Sequence, residues 1–138
     1  MFVEAVLSRI IFSDMDERHF LFLREKNGSR EFAITVGIIE AFIIHRAVYD
    51  EVIPRPLTHH VLCNAINTLG GTLKDVAICD MDEDTFYASL RVQQDNRILE
   101  IDCRPSDALA AAIMHYPPLK ILVEESVLEK VGSPKWEY

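Results

Sequence analysis

Hydrophobic and polar positions change period repeatedly along the chain, and each change marks an element. Residues 1–12 are rich in Val, Ile, Leu and Phe on both faces and predict a buried strand. The polar run Asp14-Met15-Asp16-Glu17 turns the chain, and residues 19–24 predict a second strand. Lys26-Asn27-Gly28-Ser29 is a hairpin signal, because Asn-Gly accepts the positive φ angles of a type I′ turn. Residues 30–36 then return as a third strand. Residues 37–49 predict a helix that is apolar nearly all round, through Ile38, Ile39, Ala41, Phe42, Ile43, Ile44, Ala47 and Val48. Such a helix is either deeply buried or set in a subunit interface. Pro54 and Pro56 separate it from a second helix, whose apolar residues from Leu57 to Leu69 recur at helical spacing until Gly70-Gly71 stops them.

The second half repeats the plan. Residues 72–79, 85–92 and 97–103 predict three more strands, and Pro105 opens a third helix that runs through Met114. Pro117-Pro118 ends it, residues 119–123 form a short strand, and residues 124–131 form a short helix. Asp14-Met15-Asp16-Glu17 recurs as Asp80-Met81-Asp82-Glu83, and Glu40-Ala41 matches Asp107-Ala108. A duplicated β-β-β-α unit explains the recurrence. Runs of strands followed by helices predict an α+β fold with a mixed or antiparallel sheet. Residues 1–132 are read as one domain, and residues 133–138, which hold Trp136, as a C-terminal tail.

Composition narrows the class. The 138 residues are 49% hydrophobic and 26% charged, enough to bury a core without metals or disulfides. No apolar run approaches a membrane span, and Glu4 sits where a signal peptide would be apolar. The expected setting is therefore cytoplasmic, with no membrane partner. Cys63, Cys79 and Cys103 are far apart and read as reduced thiols. The net charge of −8 argues against a simple DNA-coating protein, since non-specific binding rests on neutralised phosphates. It leaves room for an enzyme with a local basic site.

Two helix starts carry the most distinctive chemistry: Pro54-Arg55-Pro56-Leu57-Thr58-His59-His60 and Arg104-Pro105-Ser106-Asp107. Each sets an arginine just before a helix N-terminus and a hydroxyl residue in its first turn. Helix N-termini present unpaired N–H groups, and arginine adds a fork suited to phosphate. Two such ends close together make an anion site; ordinary helix-start chemistry and ion pairing of the arginines are the alternative. His59 is either a general base or a capping histidine. The carboxylates Glu40, Asp102 and Asp107 either hold a divalent cation or pair with Arg55 and Arg104. Asp14, Asp16, Glu17 and Asp80, Asp82, Glu83, Asp84 lack the EF-hand pattern and read as solvated turns. There is no P-loop, dinucleotide-binding glycine motif, nucleophile elbow or zinc-protease motif.

The segments Pro54-Arg55-Pro56-Leu57-Thr58-His59, Thr85-Phe86-Tyr87-Ala88 and Ile101-Asp102-Cys103-Arg104-Pro105-Ser106-Asp107-Ala108 resemble the bifunctional nuclease family, as does Val36-Gly37 followed by Glu40-Ala41. The resemblance runs to about Gly132. Members usually carry an aspartate where this chain has His60. The resemblance implies an α+β domain that forms homodimers and cleaves DNA, RNA or both. On the combined reading, His59, Asp107 and Asp102 are the expected catalytic residues. Arg55, Thr58, Arg104 and Ser106 are expected to bind phosphate, and Glu40 to hold Mg²⁺ or Mn²⁺ if a metal is used. The competing expectation is a non-enzymatic module that binds a small anion or a protein partner.

Overall fold

The protein is described from a computed structural model that covers residues 1–15 and 17–133. The tail expected at residues 133–138 thus lies, beyond Ser133, outside the described residues, as does Asp16. Seven strands form one mixed sheet: β1 (Phe2–Ile11), β2 (His19–Glu25), β3 (Glu31–Val36), β4 (Thr72–Asp82), β5 (Thr85–Gln94), β6 (Arg97–Cys103) and β7 (Lys120–Glu124). The helices are α1 (Ile38–Val48), α2 (Thr58–Thr68), α3 (Pro105–Met114) and α4 (Glu125–Val131). The fold is α+β.

Strand order is β3-β2-β1-β7-β4-β5-β6. β1-β2-β3 and β4-β5-β6 are antiparallel meanders with β7 between them. Because β7 is antiparallel to β1 and parallel to β4, the meanders run in opposite senses about a pseudo-two-fold axis normal to the sheet. α1 follows the first meander and α3 the second, which is the duplicated plan read from the sequence. The parallel β4–β7 pairing is what makes the sheet mixed.

Turn chemistry fixes the boundaries. β4 extends three residues past its predicted end, so Asp80 and Asp82 are strand residues paired with Tyr87 and Thr85. The reversal is left to Glu83-Asp84, both at positive φ (47° and 65°), the backbone of a type I′ hairpin. The acidic run is thus a hairpin tip rather than a metal loop.

α3 packs against α1 on one side and α2 on the other. Its five consecutive residues Ala108–Ala112 are all buried, and the small side chains allow close approach of sheet and helices. Leu109, Leu90, Ile78, Val76, Ile44 and Phe32 fill the core around them. The first helix was expected to be deeply buried or to form an interface; only Ala41 and Ile44 are buried, and Ile39 is 69% and Phe42 53% exposed. Among the described residues no helix is long and apolar enough to cross a membrane. All three cysteines are unpaired, and burial pushes the Cys103 thiol up to about 12.

Arg30 ties the Asn-Gly hairpin to α4. Its guanidinium forms two 2.9 Å hydrogen bonds to Glu125 and a 2.8 Å bond to Glu25. Beside it, Glu31 on the outer strand β3 bridges to Ser133 through two backbone hydrogen bonds. That contact covers one edge of the sheet, while β6 is the other.

Candidate functional site

The starts of α1, α2 and α3 converge on one side-chain cluster. Glu40 and Asp107 are each the third residue of their helix, the equivalent positions of the two halves. The packing of α1 against α3 brings both carboxylates to one cation, Arg104, the N-cap of α3. Arg104 donates from Nε and Nη2 to the two oxygens of Asp107, each at 3.2 Å, and from Nη1 to Glu40 Oε1 at 3.2 Å. His59, the second residue of α2, donates from Nε2 to Asp107 Oδ1 at 3.0 Å.

Exposure divides the roles. The Arg104 side chain is 65% exposed, His59 12%, and Asp107 and Glu40 23% each. The other His59 ring nitrogen, Nδ1, is buried with no hydrogen-bond partner among the described residues. His59 therefore faces Asp107 rather than the solvent. Burial pushes the Asp107 carboxyl up, but hydrogen bonds from Arg104 and His59 outweigh it and leave the carboxyl below the ordinary aspartate range. The same contacts, Asp107 first and then Glu40, raise Arg104.

A lowered folded-state value fixes the sign of the pH response. The stability that Asp107 contributes is complete above the unfolded value near 3.9, and is lost as pH falls through the lower folded value. Thermal melts between pH 5 and 2 are expected to fall more steeply for wild type than for Asp107→Asn. Parallel curves would contradict the assignment.

A cleft of about 360 Å³ opens beside Arg104. Its walls are Thr35 and Gly37 at the end of β3, Glu40 of α1, Asp84 and Thr85 of the β4–β5 hairpin, and Ser106 of α3. Ser106 is only 6% exposed. Gly37 is the N-cap of α1, and no side chain caps that helix. A Cβ at position 37 would stand 2.6 Å from Glu40 Oε2, so the glycine leaves that carboxylate room to reach Arg104.

The remaining expected site residues lie elsewhere. Arg55 lines a separate cleft with Glu51, His60 and Asn64. Thr58 is exposed at the first position of α2. Asp102 is exposed on β6, opposite Ser89, and no hydrogen bond or ion pair joins it to the cluster. His60 Nδ1 accepts a 3.1 Å hydrogen bond from the Leu57 N–H, which is capping chemistry. It needs no acid at that position. Of the walls of the Arg104 cleft, Thr35 was not singled out by sequence; Gly37 and Thr85 lie in segments that resemble the family and Asp84 in the acidic run read as a turn, and none of them was expected at the site.

Mg²⁺ or Mn²⁺ would draw on Glu40 and Asp107, whose oxygens suit hard cations. Both carboxylates already face the Arg104 guanidinium, and the described residues hold no group of three or more His, Cys, Asp or Glu able to bind a metal. The donor set therefore does not fit a resident divalent cation.

The fold and cluster define a class: a duplicated α+β domain whose helix starts gather a single exposed arginine and two carboxylates. The chain matches the bifunctional nuclease domain over residues 21–135 and belongs to that family. It is also 42% identical over 112 residues to two uncharacterized proteins of Mycobacterium tuberculosis, MT1877 and Rv1829, one from each of two strains. The match covers 81% of this chain and 65% of each relative, so the chain spans less than two thirds of their length.

Proposed function

We propose that the protein is a nuclease that hydrolyses phosphodiester bonds of DNA or RNA at the Arg104 cluster, in the reducing cytoplasm that its unpaired thiols suit. One observation carries the reading. A guanidinium has five N–H donors; three are directed at carboxylates, which leaves two at the mouth of a cleft. Those two hydrogen-bond the phosphate oxygens and stabilise the charge that grows on them. Asp107 holds the guanidinium in plane from both oxygens, and His59 positions Asp107 from behind. Glu40 Oε2 accepts no hydrogen bond among the described residues and is the acceptor for a water proton. The water oxygen bonds to phosphorus, the ester P–O bond breaks, and the leaving oxygen takes a proton from solvent.

Family membership supports the same chemistry. The test is cleavage of labelled single- and double-stranded DNA and RNA by purified protein. A second reading, anion binding without turnover, needs only the Arg104 donors that the two carboxylates leave free and no catalytic base. Phosphate binding with no cleavage of any substrate would select it.

Gly37→Ala checks the Glu40 role. The added methyl meets only the far end of a flexible side chain, and the backbone at φ −76° accepts alanine. We expect turnover to fall about tenfold, the worth of ~1.4 kcal/mol, with an unchanged melting temperature. Unchanged turnover would remove Glu40 from the mechanism.

The exposed apolar residues of α1 support a homodimer. Ile38, Ile39, Phe42, Val48 and Tyr49 present one face that a second copy can cover about a two-fold axis. Sedimentation equilibrium is expected to show dimers for wild type and monomers for Ile39→Asp/Phe42→Asp. Monomeric wild type at micromolar concentration would refute the interface.

A further inference from the structure

We propose that the cleft takes one phosphate, the outermost phosphate of a strand, so that the substrates are short oligonucleotides and strand ends. This deepens the nuclease reading and rests on it for the cleavage step; the binding step stands separately.

Four observations converge. Among the described residues, Arg104 is the only Lys or Arg that lines the cleft. Its two remaining N–H groups, one on each terminal nitrogen, supply the donors for one phosphate. Ser106, in the first turn of α3 and only 6% exposed, lines the same cleft. The start of α1, which no side chain among the described residues caps, also lines the cleft, so its N–H groups add donors there.

Beyond that one position the surroundings turn acidic. Glu40 and Asp84 line the cleft, Asp107 lies behind Arg104, and Asp82 and Glu83 continue the hairpin tip. A strand threaded through the site would bring its neighbouring phosphates against these carboxylates. Long-backbone binding instead needs several phosphates neutralised at once. The volume agrees: about 360 Å³ is near the lower end of ligand pockets, which begin at roughly 300 Å³. One phosphorylated unit fills it. A strand presents a phosphate flanked on one side only at its end.

The test compares four probes on the whole protein: adenosine monophosphate, the dinucleoside monophosphate ApA, a linear single-stranded ten-mer, and the same ten-mer circularised. Binding is measured by calorimetry for the small probes and by anisotropy for the labelled strands, across a salt series. AMP, ApA and the linear strand are expected to bind, the circle at least tenfold more weakly. Log K against log salt should have a slope of about −0.7, that of one phosphate on a single strand. Arg104→Ala should abolish binding of all probes. Free nucleotides and strand ends are told apart by AMP against ApA, with either one binding in support.

A circle bound as tightly as the linear strand, or a slope several times steeper, would overturn the proposal. Cleavage is read on the same samples. Binding in the expected order without turnover leaves the end-recognition intact and sinks the nuclease reading. Rapid nicking of the circle does the reverse.

Discussion

Replacing Arg104 by alanine is expected to lower kcat/KM about 100- to 1,000-fold while the domain stays folded. Removal of one preorganised donor to a developing oxyanion has that effect. The fold should survive because the guanidinium is 65% exposed, and exposed ion pairs contribute about 1 kcal/mol or less. Asp107 keeps its hydrogen bond from His59 after the change. Melting should therefore shift by only a few degrees. Arg104→Lys should recover little, since a point charge cannot bridge Glu40 and both oxygens of Asp107 as the planar fork does. Activity should survive EDTA, because both carboxylates are already engaged by the Arg104 guanidinium. Equal cleavage by wild type and variant would withdraw the site, and collapse of the variant would mean that the ion pairs hold the helices together.

The largest effect on stability is expected at β7. Val123 is fully buried, with Val3 of β1 on one side and Ile78 of β4 on the other. Val123→Asp would place a carboxylate in the middle of the sheet with no cation beside it. The penalty, more than about 4 kcal/mol, is most of the roughly 5–15 kcal/mol that holds a domain together. Circular dichroism should show no cooperative melt. Val123→Ala keeps the surroundings apolar and should lose about 1.5–3 kcal/mol, remaining folded with a lower melting temperature. A folded Val123→Asp protein would mean that β7 is peripheral to the core.

The architecture was largely readable because local signals and the global fold agree. Pro105 marked the start of α3 and Gly70-Gly71 the end of α2; Asn27-Gly28 marked the place of the β2–β3 hairpin, but neither residue takes the positive φ of the type I′ turn it suggested. Asp80 and Asp82 misled, because aspartates read as turn formers until the strand pairing that carries them is known. The site was legible in part and for a similar reason. Arg55 and Arg104 look alike locally, each preceding a helix start, so sequence paired them. Which helix starts are neighbours is decided by the packing of α3 between α1 and α2, and Arg55 falls in another cleft. The equivalence of Glu40 and Asp107 was the better guide, since a repeat carries information about positions far apart in the chain. Gly37 stood in a segment that resembles the family, but its sequence neighbours did not show its importance, which is the space it leaves for Glu40.

The middle place of β7 also sets a timetable. The strand that joins the two meanders is made after both of them, so on a ribosome each meander waits with an inner edge unpaired. Val3 meets Val123 only after almost the whole domain has been synthesised. Long-range pairing of this kind is slow to form and leaves strand edges open to other chains meanwhile. The nascent chain should therefore remain protease-sensitive through most of its synthesis and become resistant in one late step, when Lys120–Glu124 emerges and closes the sheet.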